Sequence, residues 1–121
     1  MQFNQLPSRI RDLSLDLVDI EGAIAKLKQD LLEMEMEVET EIAFNLELRN
    51  DRQRDAKRFE LLKANDIYQK SQDVMRQFQQ DRAIALAELE FARSQLSILK
   101  LVTRQAIADQ LVGLDLADLA A

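Results

Sequence analysis

Apolar residues recur along the first third of the chain at steps of three and four residues without a miss. This heptad row consists of Ile10, Leu13, Leu17, Ile20, Ile24, Leu27, Leu31, Met34 and Val38. The spacing is that of the a and d positions of a coiled coil, and it predicts an α-helix that packs lengthwise against another helix. The row covers 29 residues, or roughly 43 Å of helix at about 1.5 Å per residue. Such a helix needs a partner of similar length.

The composition favours an all-α fold. The 121 residues include one Pro and two Gly, too few turn-forming residues for a β-rich protein of this size. The predicted helices cover residues about 8–48, 52–64 and 66–112 of a single domain, with 113–121 as a tail. Asn50–Asp51 is the best break after the first helix, whose apolar row we expect to continue through Ile42 and Leu46. Gly113 is the expected C-terminal cap of the last helix.

Charge predicts the direction in which the long helices pair. Residues 1–48 carry 11 acids and 4 bases, a net of −7, and residues 49–121 carry 11 acids and 12 bases, a net of +1. Seven acids and no base lie from Asp30 to Glu47. A parallel self-pair would stack this block on itself, whereas an antiparallel return brings it near Lys70, Arg76 and Arg82. We therefore predict a long antiparallel coiled-coil hairpin with a short connecting helix.

The last predicted helix carries two apolar stripes. The first, the α3 seam, consists of Met75 (or Val74), Phe78, Ala85, Leu89, Ala92, Leu96 and Leu99. The second, the α3 stripe, consists of Ile84, Phe91, Ile98 and Val102. A two-helix hairpin leaves one stripe in water, and large wet apolar patches usually mark an interface. We predict a homodimer that forms a four-helix bundle through the α3 stripe; alternatively, the short helix or the tail covers it.

Catalysis is not expected. The chain has no Cys and no His, which removes thiol nucleophiles, imidazole bases and the usual zinc ligands. The glutamates at odd positions from Glu33 to Glu41 resemble a carboxylate-bridged metal site, but such sites also need a Glu-x-x-His motif. We therefore assign these glutamates to a solvated face of the helix. No Gly-rich phosphate loop is present. We expect no enzymatic activity, no metal site and no cofactor.

A basic segment follows the first helix and supports an alternative function. It contains Arg49, Arg52, Arg54, Lys57 and Arg58 against two acids, Asp51 and Asp55. The segment either contacts nucleic acid or forms a solvated turn whose arginines pair with the preceding glutamates. No aromatic residue interleaves with these arginines, so no base-stacking platform is predicted. The aromatic residues on or near apolar rows are assigned to the core: Phe44, Phe59, Tyr68, Phe78 and Phe91. In a third interpretation, the acidic face of residues 30–47 mimics DNA and inhibits a DNA-binding protein.

The cellular location is predicted from two kinds of segment that we looked for in the sequence, a signal peptide and a membrane span. The start of the chain lacks the basic flank and apolar run of a signal peptide. The most apolar stretch, Ile84 to Val102, is interrupted by charged residues and is not a membrane span. We expect a cytoplasmic protein that binds an unknown protein partner and no membrane.

Two stretches carry a resemblance. They are "LRNDRQRDAKRFELLKANDIYQ", Leu48 to Gln69, and "ALAELEFARSQLSILKLVTR", Ala85 to Arg104. Together they resemble small helical proteins found in phages and prophages, which have an Asn-acid-x-x-Arg run and a Leu-Glu-rich helix. The resemblance implies an accessory role in a mobile element and supplies no catalytic residues. The leading prediction is thus a non-enzymatic helical interaction and oligomerisation protein.

Overall fold

The computed structural model describes residues 5–120, with side chains described as far as Leu114. Three α-helices occur in this part of the chain: α1 (Leu6–Ala43), α2 (Asp51–Ala64) and α3 (Asp66–Ala120). No strand occurs among the described residues. The predicted all-α class is therefore confirmed.

The first helix ends earlier than the sequence predicts. Its last residue is Ala43 rather than a residue near 48. The Asn45 side chain accepts a hydrogen bond from the Glu47 N–H at 3.0 Å, the local bond that Asn uses to turn the chain. The predicted continuation of the apolar row is correct for Ile42, which is buried, and wrong for Leu46, which is 93% exposed.

Asparagine side chains cap the two helix starts that follow. Asn50 Oδ1 accepts the Gln53 N–H at 2.9 Å, and α2 begins at the next residue. Asn65 Oδ1 accepts the Tyr68 N–H at 3.1 Å in the same way at the start of α3. These bonds satisfy amide groups that have no partner inside the first turn of a helix.

Helix α3 continues past the glycine that was expected to cap it. Gly113 is helical and no glycine among the described residues has a positive φ. A single Gly inside a helix costs only about 1 kcal/mol relative to Ala, and Leu, Asp and Ala follow it rather than Pro. The predicted tail of 113–121 is therefore helical as far as Ala120, while Ala121 and the side chains after Leu114 lie outside the description.

Contacts divide the chain into two compact units, one of which comprises Met1–Asp16 and Ala85–Ala121. In this unit Leu6 and Leu13 of α1 and Ala85, Leu89 and Ala92 of α3 are buried. Arg9 Nη2 of α1 binds Glu88 Oε2 of α3 at 3.1 Å. The buried residues thus belong to the heptad row, its flank and the α3 seam.

The other unit comprises Leu17–Ile84. Val38, Ile42, Tyr68 and Met75 are its buried residues. Glu21 of α1 binds Arg82 of α3 at 3.1 Å, and Glu35 accepts from Tyr68 at 2.7 Å. Residue numbers therefore rise on α1 as they fall on α3, so the two helical segments of this unit run in opposite directions.

Burial follows the predicted rows closely. All nine residues of the heptad row are buried or half-buried, and so are all seven of the α3 seam when Met75 rather than Val74 is its member. Because no residue of α2 is buried, the described core consists of side chains from α1 and α3. Short-range apolar rows thus determine which face of each long helix is withdrawn from water.

Candidate interaction surfaces

The α3 stripe is exposed along its whole length. Phe91, Ile98 and Val102 of the first unit and Ile84 of the second are between 59% and 65% exposed. Successive helix residues are about 100° apart, so Phe91 lies roughly 160° around the helix from the buried Leu89. The stripe residues therefore face away from the α3 seam.

The α3 stripe is also free of charge from Phe91 onward. No acid lies between Glu90 and Asp109, and the three bases of this segment are Arg93, Lys100 and Arg104. Each base comes two residues after Phe91, Ile98 or Val102, and therefore lies roughly 160° from the stripe. A helix face without charges can be desolvated against a partner at little cost.

Apolar exposure continues toward the end of α3. Every residue from Lys100 to Leu114 is exposed. The large apolar side chains among them are Leu101, Val102, Ile107, Leu111, Val112 and Leu114. A helix that is apolar on several sides is normally buried, so this segment adds to the surface that a partner could cover.

Three of the five predicted basic-segment residues are held in ion pairs. Arg54 binds Asp51 at 3.2 Å, and Lys57 binds Glu60 at 3.6 Å. Arg58 binds Asp55 at 2.5 Å and also forms a two-pronged pair with Glu39 of α1. The interpretation that these arginines pair with the preceding glutamates is therefore correct for Arg58.

Each of the three acids of α2 is bound by a base in one of these ion pairs. Other cations in and beside α2 therefore lack an acidic partner on this helix. Within the described part of the chain, Arg49, Arg52 and Lys63 have no ion pair. Arg52, Phe59 and Lys63 share one face of α2, because they are seven and four residues apart. Phe59 is 67% exposed, and the Lys63 ammonium lies 5.4 Å from its ring centroid. The core assignment of Phe59 and of the exposed Phe44 was wrong, because α2 buries no residue and α1 ends at Ala43. Phe91, also assigned to the core, is exposed on the α3 stripe.

The Arg58 guanidinium changes the acidity of its partner. It donates hydrogen bonds to both Glu39 carboxylate oxygens, and these bonds hold the pKa of Glu39 below its ordinary value. The same contacts with Glu39, and then with Asp55, raise the pKa of Arg58. Both groups are in contact with solvent, which screens the attraction between them.

A tyrosine network lies where α1 and α3 approach each other in the second unit. The Tyr68 hydroxyl donates to Glu35 Oε1 at 2.7 Å and accepts from Gln72 Nε2 at 3.0 Å. Burial and then the nearby Glu35 carboxylate raise the pKa of Tyr68. The sequence indicated that Tyr68 is a core residue, but it assigned Glu35 to a solvated acidic face. Only the antiparallel pairing of these segments brings the two side chains together.

Among the described residues, the acidic block forms no ion pair with the bases that charge alone predicted. Arg82 binds Glu21, which precedes the block, and Arg76 binds Asp73 on its own helix at 2.9 Å. Lys70 forms no ion pair with any described residue. Arg76 nevertheless lines the same surface groove as Leu31, which lies within the acidic block. Among the described residues, no group of three or more acidic side chains is placed to hold a metal ion.

Comparisons with known proteins found no relative: no family model, curated protein or solved structure matches the chain. None of the helices in the described residues combines the length and apolar character that a membrane crossing requires. The candidate surfaces therefore rest on the residues themselves.

Proposed function

We propose that this chain is a non-enzymatic helical interaction protein that self-associates through the α3 stripe. In this proposal α1 and α3 form a long antiparallel coiled-coil hairpin, α2 connects them, and two copies combine into a four-helix bundle that presents helical surfaces to a protein partner. The carrying observation is the α3 stripe: Phe91, Ile98 and Val102 are exposed, apolar and on the opposite side of α3 from the bases of their segment.

Contacts inside each unit support the hairpin. In the second unit Glu21 and Glu35 of α1 meet Arg82 and Tyr68 of α3 in antiparallel order. In the first unit the pair of Arg9 and Glu88 joins the two helices again. Exposed ion pairs contribute only about 0.2–1 kcal/mol each, so they select direction while apolar burial provides most of the stability.

Ile98→Glu tests the self-association surface. The substitution places a charge at the middle of the α3 stripe without touching the buried α3 seam. We expect analytical ultracentrifugation at tens of micromolar protein to show a species of lower mass than the wild type, with unchanged helix content by circular dichroism. Ile67→Glu is the matched control, because Ile67 is 70% exposed on the same helix but off the stripe.

Two results would contradict the proposal. A wild-type chain that sediments as a monomer under these conditions has no self-association to explain. An Ile98→Glu variant that keeps the wild-type mass would show that the α3 stripe is not the surface used.

A second candidate function is contact with a single-stranded nucleic acid through α2. It is favoured by Arg49, Arg52 and Lys63, which have no ion pair among the described residues, and by the exposed ring of Phe59, which the Lys63 ammonium faces. Phosphates suit the cations, and a base can stack on an exposed aromatic ring. The overall charge of −6 repels nucleic acid, so this mode of binding requires such a local basic patch.

Salt-dependent binding tests this second candidate. Fluorescence anisotropy with a labelled single-stranded oligonucleotide should show weaker binding for the double variant Arg49→Gln/Arg52→Gln. The slope of log affinity against log salt should fall by about 1.4, the value expected for two lost phosphate contacts. Arg76→Gln/Arg93→Gln removes the same charge elsewhere and should bind like the wild type. Equal binding by both double variants would exclude the site.

The resemblance of Leu48–Gln69 and Ala85–Arg104 to phage and prophage proteins completes the proposal. It would make the self-associating chain an accessory factor of a mobile element. Affinity capture from the native host, followed by mass spectrometry, would test this part by identifying the protein partner. Recovery of no phage or prophage protein would count against it.

A further inference from the structure

A surface groove of about 370 Å³ lies between α2 and the start of α3, inside the unit Leu17–Ile84. The residues that line this α2–α3 groove are Phe59, Leu62 and Lys63 of α2 and Tyr68, Gln69 and Gln72 of α3. The lining combines an aromatic ring, an ammonium group, a phenol and two amides. Each of these groups restricts the chemistry of a ligand that fits the groove.

The two amides of the α2–α3 groove are oriented by hydrogen bonds from their nitrogens. Gln69 Nε2 donates to the Leu62 carbonyl at 3.1 Å. Gln72 Nε2 donates to the Tyr68 hydroxyl at 3.0 Å, and that hydroxyl donates to the Glu35 carboxylate at 2.7 Å. An ionised carboxylate only accepts, so the direction of this chain of bonds is fixed. The two Oε1 atoms are therefore the acceptors that remain for a ligand.

The α2 side of the groove supplies an aromatic surface and cations. The Phe59 ring is 67% exposed, and the Lys63 ammonium lies 5.4 Å from its centroid. Cation–π contacts at exposed sites are weak, so a stacking base can displace the ammonium while a phosphate binds it. Arg52 lies on the same face of α2, eleven residues before Lys63, or about 16 Å along the helix. A single nucleotide does not span that distance, whereas a strand does.

Charge and hydrogen bonding together identify the ligand. Residues 49–63 carry six bases and three acids, a net of +3, in a chain whose overall charge is −6. A polyanion is therefore attracted to this segment. An acidic peptide would also be attracted, but its carboxylates only accept hydrogen bonds and would face two amide oxygens. A nucleobase with an amino group supplies the donors that these oxygens need.

We propose that the α2–α3 groove binds one base of a single-stranded nucleic acid and selects bases that carry an exocyclic amino group. The base stacks on Phe59, its amino group donates to Oε1 of Gln69 or Gln72, and Arg52 and Lys63 bind phosphates on either side. Uracil and thymine place a carbonyl where cytosine has its amino group, so oxygen would face oxygen. The inference rests on the second candidate function and adds a base preference to it.

Oligodeoxycytidine and oligodeoxyuridine of equal length separate the base contact from the phosphate contact. The two strands have the same phosphates and pyrimidine rings of the same size, and they differ at the position of the amino group. Fluorescence anisotropy at neutral pH should give a dissociation constant about two- to tenfold higher for oligodeoxyuridine, the value of one hydrogen bond. Both strands should show the same dependence on salt, because their phosphate contacts are the same.

Phe59→Ala tests the stacking surface. It should raise the dissociation constant for both strands by about fivefold or more, because the base loses its aromatic contact. Phe44→Ala is the matched control, since Phe44 is 81% exposed and does not line the groove. It should bind like the wild type. Both rings are exposed, and circular dichroism should show unchanged helix content in both variants.

Gln69→Met and Gln72→Met test the base preference. Each variant keeps a side chain of similar length and removes one amide oxygen, so each should reduce the ratio of the two dissociation constants. The double variant should bring this ratio to about one while binding to oligodeoxyuridine keeps its salt dependence. Gln80→Met is the control at an exposed glutamine of the same helix outside the groove, and it should keep the wild-type ratio.

The outcomes separate this inference from the proposed function. If the wild type binds neither strand, the second candidate function is wrong and the inference fails with it. If Arg49→Gln/Arg52→Gln weakens binding but the two strands bind equally, or Phe59→Ala binds like the wild type, nucleic acid contacts α2 through phosphates alone and the inference is wrong. Cytidine monophosphate should compete only weakly with oligodeoxycytidine, and competition at equal concentration would overturn the assignment of a strand.

Discussion

Removing the hydroxyl of Tyr68 should destabilise the fold measurably and change its pH dependence. Tyr68→Phe keeps the ring of a residue that is only 5% exposed, and deletes only the oxygen that donates to Glu35 and accepts from Gln72. The substitution therefore leaves packing almost unchanged and isolates the polar network. No cavity larger than one hydroxyl group is created.

The expected loss follows from the type of bond that is broken. A hydrogen bond to a charged group contributes about 1.5–3 kcal/mol. Glu35 and Gln72 are half-buried and regain water when the hydroxyl is absent, so we expect a loss of about 1–2 kcal/mol in the free energy of unfolding. For a domain of this size that corresponds to roughly 3–8 °C in Tm. Urea unfolding at one fixed protein concentration measures it, since the proposed self-association would make stability depend on concentration.

The pH dependence has a defined sign. Burial and Glu35 raise the pKa of Tyr68 in the folded chain, while the unfolded value is about 10. The folded state therefore retains the phenolic proton more strongly, and the resulting stabilisation is complete below a pH of about 10. It is lost as pH rises above that value through the folded pKa. Tyr68→Phe should lack this loss, so the stability difference between the two proteins should shrink at high pH.

The chain has one tyrosine and no tryptophan, so tyrosinate absorbance reports Tyr68 alone. The folded wild type should titrate above the ordinary tyrosine value and the urea-unfolded chain near it. Glu35→Gln is the control: it should reduce the shift while leaving the part caused by burial. A folded-state midpoint at or below the unfolded one, or no loss of stability in Tyr68→Phe, would refute the role assigned to this network.

Three other outcomes are expected. Leu89→Ala, at a side chain 3% exposed, should cost about 2–5 kcal/mol in urea unfolding, whereas Leu101→Ala at an exposed site should change stability by less than about 0.5 kcal/mol; equal losses would be inconsistent with the observed burial. Asn50→Ala should remove the α2 cap and lower stability by about 1 kcal/mol, with Asn50→Asp as the variant that preserves it. Carboxyl NMR titration should place the Glu39 midpoint below its ordinary value, and Arg58→Gln should return it there; because the folded pKa is lowered, the stabilisation is present above the ordinary value and lost as pH falls through the folded one.

The heptad row was readable from sequence because it depends on one physical rule. A helix repeats every 3.6 residues, so steps of three and four keep one face apolar, and all nine residues from Ile10 to Val38 are withdrawn from solvent. Helix ends were less predictable because they depend on short polar bonds. Asn45 turns the chain after α1 at the point where the apolar row was expected to continue through Leu46.

Charge patterns predicted direction better than they predicted partners. The antiparallel order within the second unit is the one that the acidic block suggested, yet the block pairs with Arg58 rather than with Lys70, Arg76 or Arg82. Exposed ion pairs are too weak to move packed helices. The apolar rows fix the register first, and each charged side chain then binds whichever opposite charge that register brings near.

The hydrogen bond between Tyr68 and Glu35 could not be predicted from the sequence, for a related reason. Glu35 lies among alternating glutamates and has the same local pattern as its neighbours Glu33 and Glu37. It differs from them because it accepts a hydrogen bond from the Tyr68 hydroxyl, a residue 33 positions away in sequence. A contact of that kind depends on the register of two helices, which no short pattern in either helix contains.

The distribution of burial leaves apolar surface that the proposed self-association would cover. Only nine apolar side chains are buried among the described residues, while large apolar groups remain exposed on α1 and α3. A two-helix layer can bury one face of each helix, because the opposite face has no neighbour. On α3 the exposed groups form an uncharged row opposite the buried one, with Phe91 and Ile98 among its members. Solvated outer faces are normally rich in charge, and such an uncharged row is the arrangement expected when further helices complete the core.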